Sequence, residues 1–212
     1  MFPLFLNLTD RLVAVIGGGA VGRRKASAVL SAGGRVRLIC LEPRPFDMDN
    51  PHLDWRREAY APNHLDGAAL VFAAGPPELN ARIVADAHAR GVWVNAASEP
   101  EAGDFYLPAT VRRGEFVLAV GTGGAAPLLA QFLRERLETE YDEAFGVWVQ
   151  LLGEMRPLVR ERIADADKRR IVLTSLCQWQ WLERLRREEV AEVRAAMHAD
   201  IEAGGTSRQL SH

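Results

Sequence analysis

The stretch VAVIGGGAVGRRKA, residues 13–26, limits what this chain can fold into more than any other. Four apolar residues, Val13 to Ile16, run into Gly17-Gly18-Gly19. Gly22 completes a G-x-G-x-x-G frame, and an amphipathic run continues to Gly33. A short apolar run that ends in glycines and gives way to helical periodicity reads as strand, tight turn and helix. In such a unit the glycines do different things. Gly17 permits the turn, Gly19 leaves the backbone open to an approaching pyrophosphate, and Gly22 lets the helix lie close to the strand. The helix start offers N–H groups and partial positive charge to phosphate. The reading is a dinucleotide-binding unit built from Gly17, Gly19, Ala20, Val21 and Gly22. An ordinary glycine-rich turn is the alternative for the same residues.

The next hundred residues repeat the alternation. After Gly33-Gly34 a second strand runs from Arg35 to Cys40, and Glu42 follows 20 residues beyond Gly22. An acidic side chain at that distance accepts hydrogen bonds from a ribose diol, provided the loop folds back. Arg44 beside it keeps a 2′-phosphate possible. Residues 53–59 alternate weakly as a short strand, and ALVFAAG, 69–75, reads as a buried strand. Pro76-Pro77-Glu78 reads as a helix start, Leu79 to Arg90 carries helical periodicity, and VWVNAA, 92–97, is a further strand. Strands alternating with helices predict an α/β, Rossmann-like, doubly wound parallel sheet. Ligands of such sheets bind at the carboxyl ends of the strands. Ala74 and Gly75 are therefore further cofactor-binding candidates, and Asn95, Ser98 and Asp104 are the polar candidates beyond the last strand. Turn and cap chemistry is the competing account of Ser98 and Asp104.

Beyond residue 98 the pattern changes. FYLPATVRRGEFVLAVGT predicts a hairpin of strands 105–111 and 115–120 around Arg113-Gly114. The glycine-rich turn GTGGAAP, with Thr122, leads into a helix that has Pro127 in its first turn. Its apolar face carries Leu128, Leu129, Phe132, Leu133 and Leu137. Three more helices are expected near 142–164, 167–184 and 187–203, with a polar tail at 204–212. Trp148, Trp179 and Trp181 load this small helical region with aromatic surface, which favours a homodimer, the alternative being core packing together with docking onto the nucleotide-binding domain.

Other features exclude function classes. A formal charge of −2 argues against a general nucleic-acid binder. No apolar run approaches the ~20 residues of a membrane span. MFPLFLNL lacks the basic start of a signal peptide and is too short for one, and it reads as an edge strand or lid segment ahead of the first strand. Cys40 and Cys177 show no C-x-x-C spacing, consistent with a reducing, cytoplasmic setting. The five histidines show no metal-ligand spacing, so no resident metal is expected. G-x-S-x-G is also missing, which leaves no hydrolase signature.

Taken together, PLFLNL, VAVIGGGAVGRRKA with its Arg24-Lys25, GGRVRLICLEP, LVFAAGPPELN ending on Asn80, VNAASEP, DFYLPATVRRG and LAVGTGGAAPLLAQFLRERLE resemble the precorrin-2 dehydrogenase family in order and spacing. The resemblance runs from residue 3 to about 138 and includes the dehydrogenase part of siroheme synthase. It implies NAD-dependent oxidation of precorrin-2, a carboxylate-rich tetrapyrrole, to sirohydrochlorin. It also implies a homodimer, with a Rossmann domain at 1–110, a dimerisation region at 111–140 and a helical domain at 141–203. Arg24, Asn95, Arg112, Arg113 and Thr122 are the corresponding substrate-binding candidates, since Arg forks suit carboxylates. Ser98 stands where many relatives carry an aspartate treated as catalytic. Ser98 and Asp104 are the catalytic candidates, and iron insertion, known in some members, is expected to be weak or absent. Another NAD(P) oxidoreductase and a non-catalytic nucleotide-sensing dimer remain alternatives.

Overall fold

The computed structural model describes residues 2–44 and 49–205. The middle of the loop expected at 42–52 and most of the tail expected at 204–212 lie outside the described residues. The chain divides into two compact units, residues 1–107 and 108–212.

The first unit runs β1 (Leu12–Ile16), α1 (Ala20–Ser31), β2 (Arg35–Cys40), β3 (Leu53–Arg57), β4 (Leu70–Ala73), α2 (Pro77–Arg90) and β5 (Trp93–Ala96). The strands form one parallel sheet in the order β3-β2-β1-β4-β5. β1 reads as an unbroken apolar run because both of its faces are covered. Val13 and Val15 pack with Ala26 and Val29 of α1, while Ala14 and Ile16 pack with Ile83 and Ala87 of α2. The strand order reverses between β1 and β4, so their carboxyl ends open a crevice. Glycine ends α2 as the pattern requires, Gly91 taking the left-handed conformation at φ 64°. Ahead of β1 the described residues form no strand. Thr9 and Asp10 turn the chain, and Asp10 N–H donates to the Gly33 carbonyl at 3.1 Å.

The second unit opens with the antiparallel hairpin β6 (Ala109–Arg113) and β7 (Phe116–Val120). Gly114 takes the first loop position with φ 58°. β6 begins four residues later than the expected 105. The reason lies on the first unit's sheet. Asp104 exchanges backbone and side-chain bonds with Val94, the Phe105 carbonyl accepts from Asn95, and the Phe105 ring meets Phe72 edge-on at 5.6 Å. Residues 104–105 thus line the open edge of β5 and are withdrawn from the hairpin.

Helices α3 (Pro127–Glu140), α4 (Glu143–Arg162), α5 (Ala166–Leu176), α6 (Trp179–Leu185) and α7 (Val190–Glu202) complete the unit. α4, α5, α6 and α7 enclose a core of Leu151, Met155, Leu176, Leu182 and Met197. The single helix expected at 167–184 is two. α5 stops at Leu176, and tryptophan indoles donate to the carbonyls released there: Trp181 to Ser175 at 2.8 Å and Trp148 to Leu176 at 3.1 Å. No glycine or proline marks this break, so propensity alone does not show it. Those two tryptophans are buried and only Trp179 is exposed. α3 also carries exposed apolar surface, with Leu128 and Phe132 69% and 63% exposed.

Candidate functional site

The crevice at the carboxyl ends of β1, β4 and β5 is built on glycines. Gly17 has φ 116°, and a side chain there would run into the Ala74 carbonyl. Its N–H donates to the Ile39 carbonyl at 2.9 Å, fixing the turn against β2. A Cβ on Gly22 would overlap the Gly17 carbonyl oxygen, so the helix can sit this close only with glycine. Gly19 differs, because a Cβ there meets nothing within 4 Å. That open side leaves room for a phosphate beside the backbone. No side chain caps the start of α1, where Gly19, Ala20, Val21 and Gly22 lie. The first-turn N–H groups of a helix have no partner within it and point outward. The residues present therefore fit a dinucleotide.

Glu42 lies beside the glycine turn. Its Oε2 lies 3.0 Å from where a Cβ of Gly18 would stand. Cys40 helps hold that loop, its Sγ lying 3.4 Å from the Glu42 carbonyl. Burial is the main reason the Cys40 thiol is pushed up, with the Glu42 charge second.

The opposite wall is organised by Asn80, which the sequence reading did not place in the site. Its Oδ1 accepts from Gly75 N–H, and its Nδ2 donates to the Gly75 carbonyl and to Ser98 Oγ, each at 2.9 Å. One buried amide thereby ties the turn after β4, with Ala74 and Gly75, to the turn after β5, with Ser98. The signal was present in the sequence: Asn80 is a polar residue on the buried stripe of α2 with Ile83 and Ala87. Ser98 is exposed and has the Asn80 amide as its partner.

Among the three basic residues that open α1, Arg23 and Arg24 are exposed, whereas Lys25 turns towards the sheet. Lys25 shares the face of Gly22, Ala26 and Val29, three residues past Gly22. Its Nζ donates to Asn95 Oδ1 at 3.2 Å and lies 5.1 Å from the centre of the Phe72 ring. No carboxylate pairs with it among the described residues. Burial lowers the Lys25 pKa first, and the neighbouring Arg24 charge lowers it further. Asn95 is buried, accepting from Lys25 and donating to Phe105.

Asp104 sits lower on the sheet edge. One carboxylate oxygen accepts from Val94 N–H at 2.8 Å and the other lies 3.3 Å from His88 Nε2. It thus supplies the unpaired edge of β5 with a partner.

The remaining candidates belong to the second unit. Arg112 is exposed on β6. Arg113 is engaged: Nη2 donates to the Glu138 carbonyl at 3.1 Å, and Nε lies 3.1 Å from Glu143 Oε1. Thr122 accepts from Ala126 N–H at 3.3 Å and so shapes the turn before α3. Among the described residues no group of three or more His, Cys, Asp or Glu side chains converges as a metal site. Nor is any helix there long and apolar enough to cross a membrane.

Residues 4–109 match the family described as "Putative NAD(P)-binding". The siroheme synthase of Chromobacterium violaceum is 34% identical over 211 residues, covering 98% of this chain and 45% of that protein. That of Azotobacter vinelandii is 34% identical over 212 residues, 98% of this chain and 46% of its own length. The chain thus spans about half the length of these curated relatives. Among solved structures, that of "SirC, precorrin-2 dehydrogenase" superposes with a TM-score of 0.76 at 24% identity, covering 96% of this chain and 100% of its own. At that identity it shows a shared fold.

Proposed function

Since this chain belongs to the NAD(P)-binding family of precorrin-2 dehydrogenase-like domains found in siroheme synthases, we propose that it oxidises precorrin-2 to sirohydrochlorin with NAD. The observation that carries the proposal is the glycine cradle with its open side at Gly19 and the Glu42 carboxylate beside Gly18. It lies in a chain related over 98% of its length to a siroheme synthase.

In this reading Gly17, Gly19, Ala20, Val21 and Gly22 hold the pyrophosphate through backbone N–H groups, Glu42 accepts from the adenosine ribose, and Ala74 and Gly75 border the remainder of the cofactor. NAD supplies a hydride acceptor when bound. The protein's contribution is chiefly to orient the reacting carbons, which accounts for a crevice with few acid–base side chains. Arg24, Asn95, Arg112, Arg113 and Thr122 are proposed for the tetrapyrrole, with exposed Arg24 and Arg112 the ones free to meet its carboxylates. Ser98 and Asp104 are proposed as candidate proton acceptors, neither of them essential.

An anaerobic assay with enzymatically made precorrin-2 and NAD tests the proposal. NADH and the sirohydrochlorin spectrum should rise together, and their failure to do so would reject it. NAD should be favoured over NADP because Glu42 repels a 2′-phosphate, and equal affinity for both would remove that assignment. The homodimer is proposed through the apolar face of α3. Phe132→Glu should yield a monomer in light scattering, and a wild-type monomer would reject it. Ferrous insertion into sirohydrochlorin is proposed to be slow or absent, and a clear catalysed rate over the blank would overturn that. The absence of a carboxylate at Ser98 favours one second reading, a nucleotide-sensing dimer. Binding of both ligands without turnover would establish it.

A further inference from the structure

Far along the sequence from the glycine turn, α4 and α5 line an open groove of about 430 Å³ on the surface of the second unit. Arg156 and Arg160 line it from α4, one turn apart on the same face. Arg169 and Arg170 line it from α5, with Leu173, Thr174 and Cys177 following along the helix. The lining contains no aspartate or glutamate.

Arg169 is anchored, donating through Nη1 to the carbonyls of Ile163 at 3.0 Å and Ala164 at 2.6 Å. Arg156, Arg160 and Arg170 make no hydrogen bond or ion pair with the described residues. This differs from the arginines around them. Arg162 pairs with Glu202, Arg194 with Glu154, and Arg184 with Glu188. A chain with a net charge of −2 thus places four arginines along one groove whose lining holds no carboxylate. Like charges so gathered repel one another, and an anion seated among them relieves that cost. Guanidinium groups bind carboxylate and phosphate through two parallel hydrogen bonds. Leu173 and the Arg methylenes give the groove an apolar floor beneath the charged groups.

We propose that this groove binds a small multivalent oxyanion, a polycarboxylate or a polyphosphate, held by Arg156, Arg160 and Arg170 with Arg169 as a fixed member. The site does not depend on the dehydrogenase reading and stands or falls separately from it.

Cys177 provides the measurement. Of the two cysteines in the chain, Cys40 is buried and Cys177 is exposed at the groove. Alkylation of Cys177 by iodoacetamide in the full chain is followed by mass spectrometry, with uroporphyrin as the polycarboxylate, tripolyphosphate as the polyphosphate, and chloride at matched ionic strength as control. At least one of the two probes should give a saturable slowing of about fivefold or more, as mass action at an occupied site requires. Protection by one probe identifies which oxyanion the site takes. The exposed Arg156→Gln/Arg160→Gln pair should abolish protection while the fold, checked by circular dichroism, is kept. Arg156→Lys/Arg160→Lys should retain part of it. Smaller slowing with both probes up to about 10 mM, a thousand times a 10 µM Kd, overturns the proposal. Undiminished protection in the Gln variant also overturns it.

Discussion

The Asn80 side-chain amide reaches Ser98 Oγ at 2.9 Å while bonding both the N–H and the carbonyl of Gly75. One residue on α2 thus holds together two turns that border the crevice. Asn80→Ala leaves three polar groups without that partner, and such groups cost about 1–3 kcal/mol each when water cannot replace it. The variant should lower stability by roughly 2 kcal/mol and weaken NAD binding. Urea denaturation and calorimetry measure the two effects, and an unchanged midpoint would show that the amide is dispensable.

Gly19 and Gly22 should respond in opposite ways to the same substitution. A Cβ at Gly19 meets nothing within 4 Å, so Gly19→Val should fold normally and lose NAD binding by filling the open side. A Cβ at Gly22 overlaps the Gly17 carbonyl oxygen, so Gly22→Val should be destabilised whether or not NAD is present. Melting curves with and without NAD separate the cases. A folded Gly19→Val protein with unaltered NAD affinity would defeat the cradle assignment.

Lys25 should leave a signature on the alkaline side. Its folded pKa lies below the ordinary 10.5 because of burial and Arg24, so the unfolded chain binds more protons between the two values. Stability then rises with pH across that window, and the cost of the half-buried ammonium is fully present below it. Lys25→Met lacks the group. The stability of wild type relative to Lys25→Met should therefore increase from neutral pH towards 10.5. Paired urea midpoints across that range test the sign, and a decrease would contradict it.

The proton released during dehydrogenation should not depend on one side chain. Asp104 is engaged by Val94 N–H and His88, and Ser98 by Asn80, which is not itself a base. General-base effects are typically about 10²–10⁴-fold. Asp104→Asn and Ser98→Ala should each keep measurable turnover with NAD. A kcat loss beyond about a thousandfold with NAD affinity intact would assign an essential acid–base role.

The sequence by itself determined the nucleotide-binding half. A glycine needed for positive φ at Gly17, a strand apolar on both faces and a helix opening on Gly19 are local properties, and the chain spells them out within residues 13–26. The distance of Glu42 along the chain made it a candidate, and its return to the turn depended on how the loop after β2 folds back. Tertiary structure decided what depends on partners far apart in sequence. α5 ends at Leu176 where an indole N–H arrives from Trp148, 28 residues earlier. Residues 104–105 left the hairpin because the edge of β5 offered them hydrogen bonds, and Asn80 became the link between two turns only once the sheet set those turns side by side. Of the three tryptophans of the helical region, Trp148 and Trp181 found partners in their own helices, whereas Trp179 stayed exposed, as did Leu128 and Phe132 of α3. Periodicity tells which face of a helix is apolar, whereas the surface that covers it is set by packing between segments distant in the chain.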